Sequence, residues 1–550
     1  MRYRELCRIL GVYLYFLSAT ILFHFGMALY FQFLADPATH PQPHGTLAFA
    51  ITFIACATLA TLCRFLWGRR ASGALFRREG LALVVVIWFV TGLFGALPFT
   101  LSGTLENPID AYFEAISGLT TTGSSAMQAK SYGPSGEEIP ITATFPGVPP
   151  IHYEFYGTVR PVIDPVTGAT LATGVEAVGR AVLFWRSFLN WIGGMGIVML
   201  FLAILPALGV GGKVLYQAEM PGLVKDALTP RIRDTASLLW KIYIGLTFLQ
   251  VVLLTVTNHE MPLFDAITIA FSSLSTGGFS VRNSSIGYYE SAATDWITIL
   301  FMVLGSLNFV LFTYILKRKF RRIFEPEFNV YIVFLFVMTF ILAFNLRGTQ
   351  EALLTSQSEP ATFNFMAALR YGCFQLVSLQ TTTGFATANF DIWPYISQVL
   401  LLTVMFFGGM SGSTSGGIKM IRIVALVRLT IQKIENMFKP ETVRALRIGP
   451  SEITSERGVT VLTFFFIVMG LTLIGTFLLV ADGVDPETSL SVNACMLNNI
   501  GQAFRMGGPT QSFAFLSPFG KILSIFWMIF GRLEYFAVLL VFLPGFWKRS

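Results

Sequence analysis

The sequence predicts an all-α polytopic membrane protein: two N-terminal transmembrane helices followed by four repeats of helix, half-helix, turn and helix around a pseudo-fourfold axis. Two observations carry this. The 550 residues are 54% hydrophobic and 13% charged, and the apolar residues gather in stretches of about 20, the length one helix needs to cross ~30 Å of hydrocarbon. A Thr-Gly turn, TTTGSS at 120–125, returns as LSTGGF at 274–279 and TTTGFA at 381–386.

The apolar stretches lie near 10–34, 46–68, 80–101, 182–207, 236–258, 294–316, 327–345, 396–427, 457–480 and 521–547, giving about ten candidate spans. The first is long enough to span, with no clear small-residue cleavage site after it, so it is expected to be the first transmembrane helix. Lys and Arg cluster before it (Arg2, Arg4, Arg8), after the second span (Arg64, Arg69, Arg70, Arg77, Arg78) and after the sixth (Lys317, Arg318, Lys319, Arg321, Arg322). More follow the eighth (Arg428, Lys433, Lys439, Arg444, Arg447) and the last (Lys548, Arg549). With ten spans all of these fall on one side, which the positive-inside rule makes the cytoplasm, with both termini inside. The net charge of +7 then reflects topology and gives no support to a nucleic-acid partner.

An enzyme is not indicated, and no catalytic residue is assigned. The histidines (His24, His40, His44, His152, His259) form no HExxH, and no GxxxxGK[ST] occurs. Cys7, Cys56, Cys63, Cys373 and Cys495 include no CxxC pair and lie mostly in apolar segments, so they are expected to be packing residues, with neither a disulfide framework nor a zinc site indicated.

The repeats set the domain boundaries: a two-helix region at 1–78, then units at 79–212, 213–325, 326–450 and 451–550. FEAISGLTTTGS and FQLVSLQTTTGF place Phe113 and Phe374 ten residues before Gly123 and Gly384, with Ser117 and Ser378 six before. FDAITIAFSSLSTGGF keeps Ser275, Thr276 and Gly277, and the degenerate SVNACMLNNIGQAF keeps Gly501 after Asn498, Asn499 and Ile500. A second landmark, Gly then one residue then Met or Leu, recurs in WIGGMG, VLGSLN, FFGGMS and IFGRLE. The first unit carries an insertion near 130–175, rich in Pro and Gly. It reads either as a small β-rich cap on the outer face or as a disordered loop.

A half-helix that returns through a non-helical turn leaves unpaired carbonyls at membrane depth, tolerated only inside protein or along a watery path. Four such turns meeting on one axis would stack carbonyl rings able to replace the hydration shell of a monovalent cation. Glycine suits the turn because it accepts positive φ and leaves the path open. GSTSGG at 412–417 (Gly412, Ser413, Thr414, Ser415, Gly416, Gly417) should break the eighth span, since Gly costs about 1 kcal/mol relative to Ala in a helix. It reads either as a loop obstructing the path or as a kink for close packing. Arg532 lies 11 residues into the last span, roughly 16 Å along it at 1.5 Å per residue. A charge at that depth must be paired or face water. The expectation is that it faces the path below the turns and helps the 412–417 loop restrict passage; the alternative is a salt bridge between repeats.

These motifs, together with FWRSFLNWIGGMG, AEMPG, LTPRIRDTASLLW, QTTTGFATANFDIWP, GGMSGSTSGGIK, NNIG and GRLE, resemble the Trk/Ktr/HKT superfamily of potassium transporters, most closely its bacterial Trk branch. The resemblance implies helix–pore loop–helix repeats in which each loop contributes a filter glycine. Here these would be Gly123, Gly277, Gly384 and Gly501, preceded by Thr121 and Thr122, Ser275 and Thr276, Thr382 and Thr383, and Asn499 and Ile500. Their carbonyls would bind the transported K⁺, with no cofactor. Relatives that conduct Na⁺ often carry Ser at the first glycine, so Gly123 favours K⁺. The resemblance also implies that the 412–417 loop is a gate, that the protein is a homodimer in the bacterial cytoplasmic (inner) membrane, and that a peripheral cytoplasmic subunit binds nucleotides. Cytoplasmic loops of only about 30 residues are too short for such a domain. A Na⁺- or H⁺-coupled carrier (a symporter), or a less selective K⁺/Na⁺ transporter, is the alternative.

Overall fold

The computed structural model describes residues 3–35, 45–69, 77–145, 151–164, 166–204, 232–354, 362–438, 446–448, 451–453 and 455–547. Outside these lie Arg2, Arg70, Lys439, Arg444, Lys548 and Arg549 of the basic clusters, AEMPG, and the first residues of LTPRIRDTASLLW.

Helices α1 (Tyr3–Phe33) and α2 (Thr46–Thr61) form the N-terminal pair. They pack closely where Gly11 meets α2, since a Cβ there would lie 2.9 Å from the Ala60 carbonyl. Phe16, Phe23, Leu47 and Ile54 stay exposed, as expected of a face that lipid covers.

Each repeat has an outer helix, a short helix and a second long element. Repeat 1 contains α3 (Arg77–Leu101), α4 (Pro108–Leu119) and α5 (Arg180–Ile204). Repeat 2 contains α6 (Ile232–Thr257), α7 (Leu263–Leu274), α8 (Ala292–Ser306) and α9 (Phe309–Leu316). Repeat 3 contains α10 (Pro326–Leu346), α11 (Phe365–Gln380), α12 (Tyr395–Val404) and α13 (Met420–Phe438). Repeat 4 contains α14 (Ser455–Ala481), α15 (Pro486–Asn498), α16 (Pro518–Arg532) and α17 (Phe536–Phe542). Among the described residues six helices are long and apolar enough to cross a membrane, and the α8–α9 pair, bent by 99°, makes a seventh candidate span.

The second element is broken in repeats 2, 3 and 4, whereas the sequence pointed to a break only in repeat 3. In repeat 2 the cause is docking. The end of α8 leaves the Gly305 and Ser306 carbonyls free, and Thr414 N (3.2 Å) and Met410 N (2.9 Å) of repeat 3 bond to them. Asn308 then caps α9 by accepting from Val310 N. In repeat 4, Glu534 and Tyr535 take positive φ (54° and 61°), ending α16. Tyr535 Oη bonds the Leu497 carbonyl at 2.7 Å, and Glu534 pairs with Arg422 of α13 at 2.5 Å.

The insertion is β-rich: antiparallel ribbons β1–β2 (Ser131–Tyr132, Glu138–Ile139), β3–β4 (Ile141–Phe145, Ile151–Phe155) and β5–β6 (Val162–Ile163, Thr170–Ala172). It is anchored to two other repeats. Tyr153 Oη donates to Asp485 Oδ2 at 2.6 Å, at the cap of α15, and its ring meets Phe515 edge-on. Asn283 of repeat 2 accepts from Val175 N at 3.0 Å and donates to the Thr173 carbonyl. At the root of the insertion Glu106 pairs with Arg160 and Lys130, and hydrogen bonds from those two cations hold its carboxyl below the ordinary range. Tyr153→Phe removes the bond to Asp485 and is expected to cost about 1 kcal/mol, read as a lower unfolding temperature of the purified protein.

Candidate ion-coordinating site

The four short helices α4, α7, α11 and α15 end in one backbone motif. Two residues past the end of α4, α7 and α11, and directly after α15, a residue takes a left-handed conformation: Thr121 (φ 54°), Thr276 (53°), Thr382 (60°) and Asn499 (55°). Two residues on, a glycine does so again: Gly123 (81°), Gly278 (69°), Gly384 (82°) and Gly501 (98°). The N–H between them returns to the short helix, Thr122 to Ser117 O, Gly277 to Ser272 O, Thr383 to Ser378 O and Ile500 to Cys495 O, at 2.8–3.1 Å.

This corrects the register of repeat 2 by one residue. Its triplet is Thr276, Gly277 and Gly278, and Ser275 falls at the place of Thr120. The signal was present in the six-residue spacing from serine: Ser272 precedes Gly278 as Ser117 precedes Gly123 and Ser378 precedes Gly384. Cys495 holds the same place in repeat 4, fully buried, its thiol 3.7 Å from Ser124 Oγ.

The four turns converge. A Cβ added to Gly123 would lie 2.1 Å from the Gly277 carbonyl oxygen, one on Gly278 1.9 Å from that of Thr383, one on Gly384 2.0 Å from that of Ile500, and one on Gly501 2.5 Å from that of Thr122. Each glycine thus faces the next repeat's preceding carbonyl, and the chain of contacts closes in the order 1, 2, 3, 4, 1. No side chain fits at any of the four positions. The C-terminal, partially negative ends of the short helices point into this ring.

The ring rests on close backing. Ser117 Oγ donates to Ser124 O and Ser378 Oγ to Phe385 O, both at 2.6 Å. Asn499 Nδ2 donates to Thr122 Oγ1 and to Met528 O, each at 2.9 Å. The landmark glycines lie beneath: a Cβ on Gly193, Gly305 or Gly531 would sit 1.9, 2.6 or 2.2 Å from the carbonyl of Leu119, Leu274 or Leu497. In repeat 3 the landmark carbonyl, Gly408 O, instead accepts from Gln380 Nε2 at 3.1 Å.

The 412–417 loop packs against the ends of α7 and α15 and the turns of repeats 2 and 3, with Ser413, Thr414 and Ser415 buried. Gly412 (φ 79°) and Gly417 (69°) make its turns. Thr414 Oγ1 bonds Leu274 O (3.2 Å) and Gly305 O (3.0 Å) and accepts from Thr276 Oγ1 at 3.2 Å. Gly416 N donates to Thr382 Oγ1 at 2.7 Å. Lys419 donates to Ser415 O, and Glu327 at the start of α10 accepts from Ser411 N at 2.8 Å.

Arg532 reaches this loop. It is buried and donates to the Thr414 carbonyl at 2.5 Å and to the Gly193 carbonyl at 2.9 Å. Its hydrogen bonds go to carbonyls of repeats 3 and 1, while the neighbouring carboxylate, Glu534, is taken by Arg422. The sequence could not show these partners, because they lie 118 and 339 residues away. Also missed was the ion pair behind the ring between Glu114 and Arg186, both buried and 2.6 Å apart, with the Arg186 guanidinium 3.5 Å from the Phe279 ring centroid. Among the described residues no group of His, Cys, Asp and Glu could hold a metal ion.

A family model described as a cation transport protein, TrkH, matches residues 163–548. The chain belongs to the TrkH family. It is 34% identical over 560 residues, covering all of both chains, to the Trk system potassium uptake protein TrkH of Salmonella typhimurium. The corresponding protein of Halomonas elongata is 35% identical over 492 residues, covering 88% of this chain and 89% of that one. The crystal structure of the potassium transporter TrkH from Vibrio parahaemolyticus superposes with a TM-score of 0.77 at 30% identity and full coverage of both chains. The fold is accordingly that of a TrkH-family polytopic membrane transporter.

The corrected register makes a test independent of transport. Gly278→Ala puts a methyl against the Thr383 carbonyl at positive φ, whereas the atoms nearest a Cβ at Gly277, at 2.5–2.9 Å, belong to the Asn190 side chain, which can shift more readily than backbone. Gly278→Ala is therefore expected to destabilise the purified protein more than Gly277→Ala, by about 1–3 kcal/mol, measured by thermal unfolding.

Proposed function

We propose that this chain takes up K⁺ across the bacterial cytoplasmic membrane through a channel-like pore, its filter formed by the backbone carbonyls of the four converging turns. The closed cycle of contacts from Gly123 through Gly278, Gly384 and Gly501 carries the reading. Carbonyl oxygens suit a dehydrated monovalent cation, and the negative helix ends around them repel anions. The filter residues are Thr121, Thr122, Gly123, Thr276, Gly277, Gly278, Thr382, Thr383, Gly384, Asn499, Ile500 and Gly501. The bound ion is the cargo, and the reading requires no resident cofactor and no catalytic group. The naming of its relatives as potassium uptake proteins supports K⁺ as that cargo.

The basic clusters place both termini in the cytoplasm, with the insertion outside and the 412–417 loop inward of the filter. Entry then runs down the membrane potential, worth about 2.3 kcal/mol per charge per 100 mV. The 412–417 loop acts as the gate, and Arg532 holds it at Thr414 while placing a positive charge beside the path. A homodimer and a separate nucleotide-binding regulatory subunit complete the assembly that the family resemblance implies. Broken helices are also found in coupled carriers, but four like-oriented turns closing on one centre favour a pore on a fixed axis.

Two measurements test this. The wild-type chain, inserted in the membrane of a bacterium lacking its own potassium uptake, should restore growth at low K⁺; failure to do so would overturn the assignment. Gly123→Ser must force the ring open, because a Cβ there falls on the Gly277 carbonyl. It should lower K⁺ preference over Na⁺ by about tenfold, a change of ~1.4 kcal/mol. For the gate, Arg532→Ala frees the Thr414 and Gly193 carbonyls and should raise K⁺ flux into proteoliposomes at equal protein density. An unchanged flux from folded protein would remove Arg532 from the gate.

A further inference from the structure

The corrected register exposes an alternation in how the chain leaving each turn is held. In repeats 1 and 3 the residue nine before the filter glycine is polar and reaches that chain. Glu114 accepts from Ala126 N at 2.9 Å and from Ser125 Oγ at 3.0 Å. Gln375, with its amide oxygen turned to the strand as the surrounding donors require, accepts from Thr387 N at 2.7 Å and Ala388 N at 3.0 Å. In repeats 2 and 4 that position is apolar, Ile269 and Val492, and it cannot do this.

There an arginine stands four residues after the glycine, where repeats 1 and 3 have Met127 and Ala388. Arg282 binds Asp265, in the first turn of α7, through Nε and Nη2, both at 2.9 Å; Tyr289 Oη donates to the same oxygen at 2.8 Å. Arg505 binds Glu487, in the first turn of α15, at 2.9 Å, and its backbone N–H donates to Asp391 Oδ1 at 3.0 Å. Ser491 helps in repeat 4 by accepting from Phe504 N at 3.2 Å.

We infer that Arg282 and Arg505 are positioning residues for the filter: each ties the chain leaving its turn to the start of its own short helix, the service that Glu114 and Gln375 perform in the other two repeats. This rests on the four-turn filter proposed above. Repeats 2 and 4 are not neighbours in the cycle, so the two arginines stand across a diagonal of the mouth, each with its charge matched by a carboxylate. The two clamps are not equal. Asp265 is nearly buried and receives three hydrogen bonds, whereas the Glu487 side chain is 71% exposed and an exposed pair contributes little. Arg282 carries the larger effect.

The experiment is competitive K⁺ and Na⁺ flux into proteoliposomes of the purified full chain, with unfolding temperature recorded alongside. Arg282→Gln should lower K⁺ preference about tenfold, the worth of one charge-assisted hydrogen bond. Asp265→Asn should do the same, Arg282→Lys should keep most of the preference, and Arg505→Gln should show a smaller loss. Wild-type preference in folded Arg282→Gln and Asp265→Asn overturns the inference, whether or not stability or total flux changes, because a scaffold or surface-charge role would alter only those. If Arg282→Gln does not fold, Arg505→Gln, with its exposed partner, decides by the same criterion. A wild-type chain with no K⁺ preference would instead defeat the filter reading itself, and the clamps with it.

Discussion

Everything at the centre of this molecule follows from one steric demand: four stretches of bare backbone must approach until no Cβ fits between them. Glycine meets that demand at Gly123, Gly278, Gly384 and Gly501, but the residue two before each is held in the left-handed region as well. For Thr121, Thr276 and Thr382 that conformation is unfavourable, since a β-branched side chain crowds the backbone there, at about 1–3 kcal/mol each. Asn499 adopts it readily, which explains why NNIG can replace TTTG in the fourth repeat. Its amide then ties two repeats together through Thr122 and Met528.

The strained threonines also connect the ring to the loop beneath it. Thr276 Oγ1 bonds Thr414, and Thr382 Oγ1 receives Gly416 N–H. Moving the loop away breaks both bonds at residues that already store backbone strain. A conformational change at 412–417 is therefore felt first in the turns of repeats 2 and 3. The same loop fills the break between α8 and α9, so its amides satisfy carbonyls that lipid could not. Arg532 closes the arrangement from repeat 4. Desolvating a guanidinium is costly, and Arg532 donates to the carbonyl dipoles of Thr414 and Gly193 while the nearby Glu534 pairs with Arg422.

The repeats, the Thr-Gly turns, the broken eighth span and the place of Arg532 were legible in the sequence because each rests on local chemistry or periodicity. The register of repeat 2 was misread because two adjacent glycines, Gly277 and Gly278, offer the same residue type one step apart. Only the distance from Ser272 distinguishes them. The breaks after Ser306 and Arg532 were hidden for another reason. VLGSLN and GRLEYF each carry a single glycine and no proline, too weak a signal to end a helix, and the helices end there because a loop from another repeat, or Arg422, takes their polar groups. Likewise the partners of Arg186 and Arg532 come from distant chain segments, which a single sequence does not bring together.

The mouth shows that fourfold geometry at the ring does not require fourfold chemistry around it. Four arginines at the position of Arg282 would crowd like charges around the ring, each at a Coulomb cost. Four carboxylates at the position of Glu114 would each need a buried cation such as Arg186, with the desolvation that entails. Alternation resolves both difficulties. The buried clamp is charged only in repeat 1, where Arg186 is at hand, and neutral in repeat 3 as Gln375. The two half-buried arginines are kept out of adjacent repeats, and each is neutralised by a carboxylate of its own short helix. The four backbone turns can then remain nearly equivalent toward the axis while the side chains behind them differ.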